Sequence, residues 1–210
     1  EKLVKPPKRF PDKDVRIPIN GIYKIKGVGD VITGRIEQGT LTAGDVVRVV
    51  PRGLDNLKVF SIEMHHKTWP NAFPGDNIGM NMKGLDKTNM PKVGDVITLQ
   101  KQALCEPVES FICQVSVQEH PGQLKRGFSP LVHARTSKSS CKMTNIIWKM
   151  SKKTGDTKLD NPDFLERGEN AEIEFVPQQP IYLEKFDDCP GLGRIAVMDS
   201  NNLVMLGKII

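Results

Sequence analysis

Residues 22–44, IYKIKGVGDVITGRIEQGTLTAG, decide the fold. Two short strand patterns, from Ile22 to Lys26 and from Asp30 to Glu37, flank Gly27 and Gly29, and a turn then runs from Gln38 to Gly44. Glycine is favoured where the backbone takes positive φ or where two strands approach closely. Gly27, Gly29, Gly34, Gly39 and Gly44 therefore read as the corners of a small barrel. Working outward, period-two alternation marks VRIPI, LTAGDVVRVVP, LKVFSIEMH and GDVITLQ, each bounded by Gly, Pro or Asn. These segments predict one barrel over 10–102, with order beginning near Arg16. The proline-rich start, KPPKRFPDK, reads as extended chain, so residues 1–9 are expected to be a linker from an upstream domain. The absence of an initiator methionine adds the expectation that the sequence is a piece of a longer protein.

The strand rhythm restarts after Lys101. Cys113, Val115 and Val117 fall on one face, with Gln114, Ser116 and Gln118 on the other, which predicts a second barrel over 103–210. Asn161-Pro162 offers an N-cap followed by a proline at the first helical position, so 161–165 is expected to be the only helical turn. SKKTGDTK, residues 151–158, reads as a basic hairpin tip. The fold class expected is all-β, with two consecutive antiparallel β-barrels.

Composition agrees with that class. The 210 residues include 18 Gly and 15 Pro, and no long window carries helical apolar periodicity. Lys and Arg total 30 against 25 acidic residues, a net charge of +5 that suits a polyanionic partner without requiring one. No run of about 18 apolar residues occurs, so no membrane span or membrane partner is expected. Cys105, Cys113, Cys141 and Cys189 form no C-x-x-C pair and have no histidine at zinc-finger spacing; reduced structural thiols and a cytoplasmic location are expected.

Three constellations bear on chemistry. In IEMHHKTWPNAFPGDNIGMNMKG, residues 62–84, alternation puts Glu63 and His65 on one strand face, ahead of the turn Pro74-Gly75-Asp76-Asn77. The vicinal His65 and His66 face opposite sides of a strand and do not share a metal. By residue type alone this is a half-buried strand and a hairpin turn. In EHPGQLKRGFSPLVHARTSKSSCKM, residues 119–143, the cations Lys125, Arg126, Arg135, Lys138 and Lys142 cluster. They read either as a surface for phosphates or as a charged edge that discourages strand pairing. In CPGLGRIAVMDSNNLVMLGKI, residues 189–209, Arg194 is a further cation. No G-x-x-x-x-G-K-[ST], N-K-x-D or G-x-S-x-G motif occurs, so neither nucleotide hydrolysis nor any other catalysis is expected of these residues themselves.

The 22–44 run, with the Glu63-to-Asn77 segment, resembles domain 2 of the elongation factor Tu and elongation factor 1-alpha family. The segments 119–143 and 189–209 resemble domain 3 of elongation factor 1-alpha. The resemblance covers nearly the whole chain. It implies delivery of aminoacyl-tRNA to the ribosomal A site in a GTP-dependent way. By that likeness Glu63 lies against the terminal adenosine, and His65 and Asn77 line an amino-acid chamber. Main-chain groups near His66, Gly75, Asp76 and Asn77 meet the aminoacyl ester and amine, while Val31 supplies apolar wall. Lys125, Arg126, Arg135, Lys138, Lys142 and Arg194 are implied to meet tRNA backbone. The resemblance also implies that GTP and magnesium bind the chain's own N-terminal GTPase domain, with no cofactor in these residues. The ribosome and a nucleotide-exchange factor are further implied partners.

Departures are visible. Arg135-Thr136-Ser137-Lys138 stands where elongation factor 1-alpha has His-Thr-Ala-His, and Met198 replaces an arginine. With NIIWKM and VPQQPIYLEKF they point to a divergent branch, for which the eukaryotic elongation factor-like proteins are the best likeness. Two alternatives stay open: a peptide-release or ribosome-rescue GTPase with similar barrels, and a secondary cytoskeletal-binding role. Glu63, His65 and Asn77 favour the aminoacyl reading over the former.

Overall fold

Apolar residues alternating with polar ones along short strands must cover one face, and a sheet that curls until its edges meet does so without leaving an edge. The computed structural model, which describes residues 7–120, 122–151, 155 and 157–210, has this arrangement twice, in units Glu1–Cys105 and Glu106–Ile210. The first unit contains β1 (Ile17–Ile25), β2 (Gly29–Arg35), β3 (Leu41–Thr42), β4 (Val46–Val50), β5 (Leu54–Met64), β6 (Lys67–Trp69), β7 (Asn71–Ala72), β8 (Asn77–Lys83) and β9 (Val96–Leu99). Six of these run in the order β4-β9-β1-β2-β8-β5, and pairing of β5 back onto β4 closes the barrel.

The second unit contains β10 (Phe111–Val117), β11 (Leu124–Lys125), β12 (Leu131–Ala134), β13 (Ser137–Met150), β14 (Leu159–Asp160), β15 (Phe164–Leu165), β16 (Asn170–Pro177), α1 (Pro190–Gly193), β17 (Arg194–Asp199) and β18 (Asn202–Ile209). Its ladder, β12-β17-β18-β10-β16-β13, closes where β13 pairs with β12. In each unit one long strand outruns its closing partner, and a short strand covers the overhang: β6 on β5 in the first, β14 on β13 in the second.

Each barrel has its own core. Ile17, Ile32, Ile62, Met80 and Ile97 fill the first, which is aliphatic throughout; Phe111 and Phe175, with ring centroids 5.7 Å apart, anchor the second among Val132, Ile146 and Val197. The all-β expectation of two antiparallel barrels holds. Among the described residues no helix is long and apolar enough to cross a membrane.

Local readings needed correction. The IPI of VRIPI and the IYKI of IYKIK belong to one strand, β1, bent by a bulge between Ile19 and Gly21. Gly34 is no corner: it lies inside β2, where a Cβ would stand 2.7 Å from Ile17 Cγ2 and 2.8 Å from the Pro18 carbonyl oxygen. The helical turn expected at 161–165 is absent. Asn161 takes a left-handed φ of 48° and donates its amide to the Ile147 carbonyl, while Phe164 and Leu165 pair with Lys125 and Leu124. A local capping preference of about 1 kcal/mol has lost to ladder bonds and burial of Leu165. The single described helix is instead the turn Pro190–Gly193, opened by proline. The linker expected at 1–9 and the hairpin tip at 151–158 fall partly outside the described residues.

Candidate functional site

On the first barrel, a row of cross-strand neighbours runs Thr33, Gly79, Glu63 over β2, β8 and β5. Gly79 has no side chain to fill the middle of that row, and a cavity of about 480 Å³ opens there. Glu63, Met64 and His65 line it from one side, Asn77 from the start of β8, and Tyr23 and Thr33 from β1 and β2. The Tyr23 ring is held over Gly21, where a Cβ would come within 2.7 Å of it, and Thr33 Oγ1 donates to Asn20 Oδ1 at 2.6 Å. The wall thus offers a carboxylate, a primary amide, an imidazole and a half-exposed aromatic face. That set can accept from an ammonium or a ribose hydroxyl while packing against a flat or apolar group.

Glu63, His65 and Asn77 do meet in one cavity, but not all by the expected route. Met64 pairs with Lys67, so the strand ends at Met64, and His65-His66 form a two-residue hairpin loop with φ of 51° and 60°. Two consecutive positive φ values match the hairpin turn whose twist suits flanking strands. His65 reaches the cavity from this loop, not by strand alternation, and exposed His66 does not line it. Val31 is half-buried and lies beside the cavity, its Cγ1 3.4 Å from where a Gly79 Cβ would stand.

Gly75 and Asp76 serve the turn. Gly75, at φ 99°, donates to the Ile36 carbonyl at 2.7 Å, and Ile36 donates back to the Asp76 carbonyl at 3.0 Å. Asp76 Oδ2 accepts from the Phe73 amide at 2.9 Å, which fixes the loop that delivers Asn77. Asn20, Tyr23, Thr33 and Gly79 were missed from the sequence. The period-two phase of β1 and β2 could have found Tyr23 and Thr33, but the bulge at Asn20 hides the phase.

On the second barrel, Lys138 and Lys142 share the outer face of β13, and Arg135 occupies the β12–β13 turn at φ 57°. The Gly127 amide donates to the Met143 carbonyl at 2.8 Å, which brings the Lys125-Arg126 turn alongside Lys142. Arg135, Lys138 and Lys142 thus follow one another from the β12–β13 turn along β13, and the Lys125-Arg126 turn is tied to the same strand through Gly127. Arg194 is set apart, two strands away across β12, with its guanidinium 5.2 Å from the Phe186 ring centroid. It belongs with Lys208 to a shallow trough of about 450 Å³ that ends at Trp148, whose Nε1 donates to Glu172 at 2.9 Å.

All four cysteines are buried free thiols. Burial pushes the Cys141 thiol up to about 11 and raises Cys113 further. Among the described residues no group of three or more His, Cys, Asp or Glu could hold a metal ion.

Comparison with known proteins assigns both barrels. Residues 29–98 match the family model for elongation factor Tu domain 2, and residues 110–210 match that for the GTP-eEF1A C-terminal domain-like family. Elongation factor 1-alpha of Mucor circinelloides f. lusitanicus is 37% identical over 98% of this chain and 44% of its own length. The Metallosphaera sedula factor is 40% identical, over 97% and 46%. The crystal structure of sup35 complexed with GMPPNP superposes with a TM-score of 0.86 at 25% identity, covering 96% of this chain and 48% of that one. The chain therefore spans just under half the length of these relatives. It belongs to the elongation factor 1-alpha and elongation factor Tu family of translational GTPases, and its barrels are the counterparts of that family's second and third domains.

Proposed function

We propose that the two barrels form the tRNA-binding part of an elongation factor that carries aminoacyl-tRNA to the ribosomal A site. The first barrel takes the aminoacyl end and the second takes the stem. GTP and magnesium bind an upstream domain, and the barrels supply recognition surface. The observation that supports this most directly is the convergence of Glu63, His65 and Asn77 with Tyr23 on one open cavity. A carrier that accepts many amino acids needs a roomy chamber and polar groups for the ester, amine and ribose, and this wall has both. The basic stretch from Lys125 to Lys142 supports the stem assignment, because phosphate contacts orient a helix without reading its sequence.

Gly79 supplies a direct test. Its backbone is not left-handed, and an added Cβ meets nothing closer than 3.4 Å, so Gly79→Val is expected to fold. The branched side chain intrudes on the floor between Thr33 and Glu63. In the GTP-bound parent protein, Gly79→Val should lose affinity for a bulky aminoacyl-tRNA while keeping that for the deacylated tRNA. Equal loss for both, or none for either, would defeat the aminoacyl assignment and favour a release or rescue factor, which has no aminoacyl group to house.

A further inference from the structure

Arg9 lies ahead of the first barrel strand, yet its side chain belongs to the turn that presents Asn77. Its Nη1 donates to the Pro74 carbonyl at 2.7 Å. The guanidinium occupies the space a Gly75 side chain would take, with its carbon and both terminal nitrogens 2.5–2.7 Å from the position of an ideal Cβ. The segment that carries Arg9 is itself pinned. The Phe10 carbonyl accepts from the Gly39 amide at 2.9 Å, the Pro11 carbonyl accepts from Thr40 Oγ1 at 3.1 Å, and the ammonium groups of Lys8 and Lys13 lie 5.2 and 4.7 Å from the Phe10 ring centroid. Ile36, just before that anchoring turn, exchanges hydrogen bonds with Gly75 and Asp76. Three stretches, 9–11, 36–40 and 73–77, are thus laced together.

We propose that Arg9 is a positioning residue for the cavity: through Pro74 and Gly75 it fixes the turn from which Asn77 enters the aminoacyl chamber. Gly75 is then required for a guanidinium to lie flat on the backbone, and not for a ligand to approach. A planar fork suits that role, whereas an ammonium keeps only the point contact to Pro74. Among the described residues ahead of Phe10, Arg9 touches the turn and so gives that segment a mechanical path to the cavity. The inference rests on the aminoacyl reading only for the identity of the ligand.

Two measurements separate the clamp from the ligand. Hydrogen exchange on this chain should show the Gly75 and Ile36 amides exchanging about tenfold faster in Arg9→Ala, with the Val47 and Val59 amides and the urea midpoint unchanged. Arg9→Lys should fall between. In the GTP-bound parent, Arg9→Ala should reduce the ratio of affinities for aminoacylated and deacylated tRNA by several-fold, and Arg9→Ala with Asn77→Ala should lose no more than Asn77→Ala alone. Unchanged exchange at Gly75 and Ile36, or additive losses in the double variant, would overturn the clamp. If Asn77→Ala binds like the wild type, the aminoacyl reading fails instead, and the exchange rates alone decide the clamp.

Discussion

His65 and His66 hold φ of 51° and 60°, a conformation that costs an L-residue with a Cβ about 1–2 kcal/mol and costs glycine little. Asn-Gly would make the same hairpin loop with less strain. His65→Gly should therefore raise stability by up to about 1 kcal/mol in urea titration, part of the relief being offset by the freer unfolded chain. It should also weaken aminoacyl-tRNA binding, since His65 lines the cavity. His66→Gly should give similar stabilisation without the loss, because His66 does not line the cavity; equal effects of the two on binding would refute the assignment. The thiols give a second expectation at this scale. Cys113 and Cys141 lie in the second core with raised pKa values, so a disulfide-exchange reagent at pH 8 should leave both unmodified until the barrel unfolds. Glu63, His65 and Asn77 were singled out by the family resemblance, because by residue type alone the segment reads as a strand and a hairpin turn. Gly75 and Asp76 make the turn's own bonds, which use the same residue types as a binding loop does.

At the level of the element, Asp95 shows how a strand junction is held. Its carboxylate accepts from Arg52 Nε at 2.6 Å and from the Lys92 amide at 2.7 Å, and its carbonyl accepts from Ile19 at 2.8 Å, tying the ends of β4 and β9 to the β1 bulge. Burial raises its pKa despite the Arg52 guanidinium and the Lys92 amide, which pull the other way. A folded-state pKa above the unfolded one gives a contribution that is full below the ordinary carboxylate range and is lost as pH rises through the raised value. Near neutrality the ionised Asp95 thus depends on Arg52. Arg52→Ala should raise the Asp95 midpoint further in a carboxyl NMR titration and cost roughly 1.5–3 kcal/mol at pH 7, shrinking as the pH falls toward 4. A loss independent of pH would reject this pairing. Along β13, Arg135→Ala and Lys138→Ala should each lower the salt slope of tRNA binding by about one unit, whereas Asn77→Ala and Glu63→Ala should leave it unchanged. A strand with clean alternation, FICQVSV, was readable because burial repeats every second residue. The 161–165 stretch was not, because its partner Leu124–Lys125 is distant in sequence and no local signal announces the pairing.

For the whole molecule, each unit has a closed ladder and a separate core, so residues 7–105 and 106–210 made as separate chains should each unfold cooperatively. The two tryptophans divide the readout: Trp69 reports on the first unit from an exposed site, and Trp148 on the second, hydrogen-bonded to Glu172. A half that stays unfolded by far-UV circular dichroism would show that its core is insufficient alone. Two barrels were legible from the strand rhythm and its restart after Lys101. Which strands close each barrel was not, because β4 meets β5 and β12 meets β13 in registers that no local signal announces. That closure, with β6 and β14 covering the overhangs of the two long strands, also limits how either barrel can be approached. Among the described residues the edges left in these two ladders are those of β6 and β14, three and two residues long, which gives a visiting peptide little backbone to join. Recognition at these barrels is therefore left chiefly to side chains and to the turns at their rims.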